Sequence, residues 1–307
     1  MSLASIALNQ ILGMFIIIFI GIVSYKVKLI DEDMNKKLSN ILLNLVLPLV
    51  IFVSFQRDSS PSLFKGLLIS LVLAFATHII GILISTVLIP KKGSDNTIER
   101  FACIYSNCAF MGIPIVSGIF GAEGVFYITA YMTAFNIFVW THGVIMMTGR
   151  QEPKAMVKTL LSPTILAIIL GMSFFVMQIR LPNILIESLD SLASVNTPFA
   201  MLIAGVTIGQ TNNMKLFGKL RIYYVAFIKL LLIPSILLFL FSRFPMDKTV
   251  LTTAILAAAC PTAATGTMFA LRYDKNAIYA SEIFAINSLL SMLTIPLIMG
   301  LTEFITK

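Results

Sequence analysis

Charge is scarce in this 307-residue sequence: only 12% of its residues are Asp, Glu, Lys or Arg, and a single Trp stands beside 23 Phe. With 58% apolar residues and a mean hydropathy of +0.95, so few charges exclude a water-facing globular surface. No stretch is polar enough to form a separate soluble domain, so function has to reside inside a lipid-embedded bundle. HExxH, GxSxG and P-loop motifs are all missing, as are paired intramembrane aspartates, so neither catalysis nor nucleotide-driven pumping is expected. Transport would then draw on an ion or substrate gradient.

Cysteine is also sparse. Cys103, Cys108 and Cys260 fall in apolar segments with no CxxC or Cys/His spacing, which argues against disulfides, a metal site or any other cofactor. The net charge of +8 comes from 22 Lys and Arg scattered singly among short connectors, with no extended basic face for nucleic acid. The first residues, MSLASIALNQILGMF, lack a basic n-region and an AxA-like cleavage site and read as a retained first helix.

What is present is a series of long apolar runs. A membrane helix needs roughly 20 apolar residues, because the hydrocarbon layer is about 30 Å thick and each residue rises about 1.5 Å. Ten segments qualify, at approximately 6–25, 38–55, 66–89, 101–119, 124–148, 159–178, 191–210, 222–241, 250–271 and 283–302. The expected fold is therefore an all-α membrane protein of ten transmembrane helices.

Alternate connectors test that number, because cytoplasmic loops collect Lys and Arg. One side carries fifteen: Lys26, Lys28, Lys36, Lys37, Lys91, Lys92, Arg100, Arg150, Lys154, Lys158, Lys215, Lys219, Arg221, Arg272 and Lys275. The other carries six: Arg57, Lys65, Arg180, Arg243, Lys248 and Lys307. The split places both termini on the extracytoplasmic side of a multi-pass cell-membrane protein.

Five helices per half put the second half upside down relative to the first, the inverted-repeat design of many secondary transporters. Residues 1–150 would form one repeat and residues 151–307 the other. Gly21 and Gly171 are 150 residues apart, as are Pro48 and Pro198, and His78 and Lys229 are 151 apart.

The fourth and ninth spans carry the breaks. In FACIYSNCAFMGIPIVSGIF the apolar run is interrupted by Asn107, Gly112 and Pro114; in LTTAILAAACPTAATGTMFAL, Pro261 and Gly266 flank small hydroxylated residues. Proline removes an amide donor and clashes with the preceding turn, so each helix is expected to open near its middle. Such backbone survives at that depth only inside protein or beside a water-filled cavity, where half-helix N-termini can hold an anion. The alternative is that these prolines only kink two packed helices.

His78 and Lys229 are the two ionisable side chains placed well inside the hydrocarbon zone, where a charge costs about 2.5 to 3.5 kcal/mol. Lys229 lies ten residues beyond Lys219, roughly 15 Å along a helix, too deep to reach the headgroups. Two roles are open to it: positive charge or a relay in an anion pathway, or a structural hydrogen bond to a neighbouring helix. His78 could sense a proton gradient or satisfy a neighbouring helix. Asn44, Asn136, His142 and Asn287 read as interhelical glue, whereas Asn196 and Thr197, beside Pro198, are candidate pathway residues. No acidic residue sits deep in any span, which argues against a carboxylate proton relay and a cationic substrate.

The run SNCAFMGIPI, Ser106 to Ile115, after a basic loop resembles the crossover motif of bacterial auxin efflux carrier family permeases, the malate/malonate transporter-like group. The resemblance spans the chain, with ACPTAATGTMFAL as the second proline crossover. It implies a fold similar to the bile acid:sodium symporters, with a scaffold domain and a transport domain that moves as an elevator, and it implies a homodimer. It also implies transport of small organic anions, coupled to H+ or Na+. On the family pattern Asn107 and the backbone from Gly112 to Pro114 would hold the carboxylate, facing Cys260, Pro261, Thr262, Thr265 and Gly266. The Asn-Pro-Asn form of the plant motif is absent, since Cys108 and Ala109 follow Asn107, so an auxin-specific pocket is not expected. Two other readings stay open. One is a sodium-coupled carrier of a neutral or bile-acid-like solute, using carbonyl and hydroxyl ligands around Thr262 and Thr265. The other is a receptor without flux, whose usual signalling tail is not seen beyond the tenth span.

Overall fold

Apolar runs bounded by capping residues become helices throughout the computed structural model, which describes residues 3–58, 60–90, 95–150, 161–210 and 219–306. Among the basic residues of the charge count, Lys91, Lys92, Lys154, Lys158, Lys215 and Lys307 lie outside these residues. The elements are α1 (Leu3–Lys26), α2 (Glu32–Ser54), α3 (Pro61–Leu88), α4 (Asn96–Ile104), α5 (Cys108–Thr148) and α6 (Pro163–Met177). They continue with α7 (Asn183–Ser194), α8 (Asn196–Gly209), α9 (Leu220–Phe241), α10 (Lys248–Ala259), α11 (Thr265–Arg272) and α12 (Ala277–Ile305). Ser60, Ser162, Asp247 and Asn276 start α3, α6, α10 and α12 by accepting a hydrogen bond from a first-turn amide.

Among the described residues, seven helical stretches are long and apolar enough to cross a membrane: Ser5–Lys26, Glu32–Ser54, Pro61–Leu88, Cys108–Thr148, Asn183–Gly209, Leu220–Phe241 and Ala277–Ile305. Three expected spans are built differently. The run 101–119 is divided between α4 and the start of α5, and the run 250–271 between α10 and α11. The run expected at 159–178 is α6, only 15 residues long. Within α5 the chain turns at Gly121, whose φ of 60° and ψ of −148° suit glycine and strain any residue with a Cβ. The surface is oily: Val72, Val87, Leu293 and Phe304 are exposed, whereas Glu99, Lys229, Glu282 and Asn287 are buried. Apolar outside and polar inside is the arrangement that lipid, not water, stabilises.

Proline shapes three of the helices in the same way. Pro48, Pro114 and Pro234 each follow a widened π-helical turn, at 42–46, 108–112 and 228–232. The ring of a mid-helix proline clashes with the carbonyl four residues back, and one extra residue in the preceding turn relieves that clash without ending the helix.

Packing follows the glycines. A Cβ on Gly205 would lie 2.1 Å from the Ile18 carbonyl oxygen, and one on Gly21 would lie 2.4 Å from that of Leu202, so α1 and α8 touch backbone to backbone. Gly171 of α6 likewise rests on the Phe55 ring that follows α2. On the other side α3 packs along α5, α10 lies against both α5 and α12, and α9 and α11 pack on α12.

Candidate functional site

Two helices stop midway and their ends meet. Pro261 ends α10 at Ala259, because the residue before a proline is pushed out of the helical region; Cys260 has ψ of 148°. No proline explains the end of α4 at Ile104, after which Tyr105 turns extended. There the partner is tertiary. Asn107 N donates to Pro261 O at 2.7 Å, Ala263 N donates to Tyr105 O at 2.8 Å, and Ser106 pairs with Thr262 in an antiparallel bridge. Each broken stretch thereby satisfies amides and carbonyls that lipid could not.

The opening in the fourth run thus falls at 105–107, earlier than Pro114, which sits inside α5 two residues beyond the widened turn. Asn107 is buried and caps that turn, its side-chain oxygen accepting from Phe110 N at 3.4 Å. Gly112 gives the end of α10 room: a Cβ there would meet Cys260 Sγ at 3.4 Å and Ile128 Cδ1 at 3.0 Å. Asn107, Gly112, Cys260, Pro261 and Thr262 are therefore neighbours. Thr265 and Gly266 open α11 just beyond, with the Thr265 hydroxyl buried and unpartnered among the described residues.

Lys229 lies against this junction. It occupies the π-helical turn of α9 and is 1% exposed. Its Nζ donates to Ser106 Oγ at 2.5 Å and to Ala258 O at 3.1 Å. Ser106 in turn donates to Ala258 O at 3.3 Å, and its Oγ lies 3.5 Å from Tyr131 Oη. Ala258 is in the last turn of α10, where the break leaves its carbonyl without the usual amide, so a cation there complements the negative helix end. Among the described residues no carboxylate pairs with Lys229. The sequence around both breaks, 101–119 and 250–271, has no acid either.

His78 stands nearby on α3, stacked on Phe138 at 5.0 Å and 5.2 Å from the Tyr131 ring. Its Nδ1 bonds Ala74 O at 2.7 Å within its own helix, and Nε2 has no partner among the described residues. The interhelical roles expected of the polar residues are mostly not what forms. Asn44, Asn136 and Asn287 donate to the carbonyl four residues earlier in their own helices, the nearest acceptor available in an apolar medium. His142 is the exception, with Nδ1 2.9 Å from Tyr105 Oη in the extended segment that follows α4. Asn196 is buried at the start of α8, which packs on the 108–112 turn; among the described residues no hydrogen bond joins Asn196 or Thr197 to the paired segments.

Ser106, Tyr131 and the Ala258 carbonyl were not visible as site groups in the sequence. The available signal was that Ser106 directly precedes Asn107 in a polar run. A second cluster also emerges only in three dimensions. Glu99 of α4 is held by Arg221 Nη2 at 2.7 Å and Tyr279 Oη at 2.9 Å, and Lys219 meets Glu282 at 2.6 Å, tying α4, α9 and α12 together. Among the described residues no cluster of three or more His, Cys, Asp or Glu could hold a metal ion.

Apolar exposed helices, a buried lysine and two paired helix breaks define a multi-pass membrane transport protein. The chain belongs to the auxin efflux carrier-like family of such proteins: the family model described as membrane transport protein matches residues 6–156 and 152–299. It is similar to an uncharacterized transporter of Methanothermobacter thermautotrophicus, 21% identical over 299 residues, which cover 94% of this chain and 96% of the relative. The uncharacterized transporter YfdV of Escherichia coli K12 is 22% identical over 303 residues, with the same coverage of 94% and 96%. The uncharacterized transporter MJ1031 of Methanocaldococcus jannaschii is 25% identical over 225 residues, 66% of this chain and 69% of the relative.

Proposed function

We propose that the protein is a secondary active transporter of small organic anions, binding a carboxylate at the crossover of its fourth and ninth membrane spans. The observation that carries the reading is Lys229: a buried ammonium that touches both breaks and has no carboxylate partner among the described residues. Cation and helix starts act in the same sense. The N-terminal ends of α5 and α11 open at the break, so their free amides add positive potential beside the lysine. At a separation of ~8 Å and an effective dielectric constant of ~20, one unit charge attracts a carboxylate by about 2 kcal/mol. Asn107, Gly112, Pro114, Cys260, Pro261, Thr262, Thr265 and Gly266 would form the walls.

In this reading there are ten spans, with α4 and the first part of α5 as the fourth, the rest of α5 as the fifth, α6 as the sixth, and α10 with α11 as the ninth. Residues 1–150 and 151–307 form two inverted repeats. The packing supports it: Gly21 of the first span rests on the seventh, and its counterpart Gly171 of the sixth rests beside the second. The first, second, sixth and seventh spans would form the scaffold, and the other six the body that moves as an elevator. The lysine- and arginine-rich side faces the cytoplasm and both termini lie outside, in a homodimer within the cell membrane.

Purified protein in proteoliposomes should take up radiolabelled malate or malonate under an imposed proton or sodium gradient. Absence of transport for every organic anion tried, under every gradient, overturns the reading. A second reading, a sodium-coupled carrier of a neutral or bile-acid-like solute, is favoured by one feature, the unpartnered hydroxyl of Thr265 at the start of α11. Sodium-dependent binding of an uncharged solute, with no carboxylate uptake, would select it.

A further inference from the structure

Outside the paired segments, α3, α4 and the end of α5 line an open cavity of about 420 Å³. Asn96, Arg100 and Ile104 line it from α4, a spacing of four that sets them on one helix face, and Thr86 and His142 line it from α3 and α5. We propose that this cavity is an anion-binding site for a phosphate or carboxylate group, distinct from the crossover.

Arg100 supplies the charge. Its Nε donates to Ile89 O at 2.9 Å, and its Nη2 to Ile89 O at 2.5 Å and to Thr86 O at 3.2 Å, so neutral carbonyls aim the guanidinium without neutralising it. The acids of the same helix are already engaged elsewhere. Glu99 is held by Arg221 and Tyr279, and the Asp95 carboxylate accepts from Asn276 Nδ2 at 3.5 Å. No ion pair joins Arg100 among the described residues.

His142 adds a second ligand group. The Tyr105 hydroxyl has one proton, which goes to Phe138 O at 2.9 Å, an atom that can only accept. His142 Nδ1, at 2.9 Å from the same hydroxyl, must then donate to it. Nε2 is left for a ligand, accepting from a protonated oxygen when the imidazole is neutral and donating when it is charged. The first turn of α4 contributes amides as well, since Asp95 makes no side-chain capping bond to them. A volume of this size suits a small anion or a lipid headgroup. The connector before α4 carries Lys91 and Lys92 in sequence, which places the site at the lysine- and arginine-rich end of the bundle, where either source is at hand.

The test uses the purified full chain in nonionic detergent, with the thermal unfolding midpoint as readout. Inorganic phosphate, phosphatidylglycerol and phosphatidylcholine are titrated separately. A saturable rise with phosphate points to a soluble anion, and a rise with phosphatidylglycerol alone to a lipid headgroup; phosphatidylcholine should do nothing. Arg100→Gln should weaken the response at least ten-fold, whereas Arg243→Gln and Lys229→Met should keep it, which separates this cavity from the crossover. Thr97→Trp, which fills the cavity while leaving Arg100 in place, serves as the second variant and should abolish the response. The proposal is overturned if neither phosphate nor phosphatidylglycerol gives a saturable shift, or if the shift survives in Arg100→Gln or Thr97→Trp.

Discussion

Replacing Lys229 with methionine keeps an unbranched side chain one atom shorter and removes the buried charge, so the two roles open to the lysine predict different outcomes. Burying an ammonium in the middle of a helix costs about 2.5 to 3.5 kcal/mol. The hydrogen bonds from Nζ to Ser106 Oγ and Ala258 O return about 1.5 to 3 kcal/mol each. Together the two bonds return about 3 to 6 kcal/mol, somewhat more than the cost of burial. Ser106 still donates to Ala258 O in the variant, so no buried carbonyl is stranded. Lys229→Met is therefore expected to lose at most ~3.5 kcal/mol of stability and to stay folded. Binding of a carboxylate should suffer more. Losing the ~2 kcal/mol of attraction set by a charge about 8 Å away weakens affinity by roughly 30-fold. The assay is the initial rate of dicarboxylate uptake in proteoliposomes as a function of concentration, with thermal unfolding of the same preparation. A folded variant whose KM stays within twofold of the parent would show that the cation is structural and does not bind the carboxylate.

Other substitutions probe the frame around it. Gly205→Ala puts a Cβ 2.1 Å from the Ile18 carbonyl oxygen, so α1 and α8 must move apart, at a cost of about 1 to 3 kcal/mol in unfolding measurements. Gly13→Ala, with nothing within 4 Å, is the control and should be neutral or slightly stabilising. Asn107→Ala removes the cap on the 108–112 turn and should cost about 0.5 to 2 kcal/mol, with Asn107→Ser, an uncharged capping side chain, retaining more of the stability. Glu99→Gln breaks the bond pair to Arg221, but the arginine is 44% exposed and can return to water, so the expected loss is about 1 to 2 kcal/mol instead of the 3 to 5 typical of a fully buried pair. Equal thermal midpoints for parent and Glu99→Gln would show that the cluster does not tie α4 to α9 and α12.

How far the sequence led differs from residue to residue. The break at Pro261 was legible because its cause is local: a missing amide and a restricted preceding residue. In the fourth run Asn107 marks the break, but Pro114 is not its cause, which lies in backbone pairing of Tyr105 and Asn107 with Ala263 and Pro261, far along the chain. Lys229 is recognisable as deep from the apolar run around it, but its partners come from the extended segment after α4 and from the end of α10, which no periodicity connects. The asparagines look interhelical in sequence, but each finds an acceptor one turn back in its own helix. The role of Glu99 is not legible in the sequence, because it stands in a polar stretch just before the apolar run, and only the fold buries it under Arg221 and Tyr279.

On the proposed function, a carboxylate binds where the two broken helices pair. The most direct measurement is an electron cryo-microscopy map of the protein saturated with malonate. Ligand density is expected between the Asn107–Gly112 turn and the Pro261–Gly266 segment, lost in Lys229→Met. Density elsewhere, or none there at concentrations that saturate transport, would contradict it.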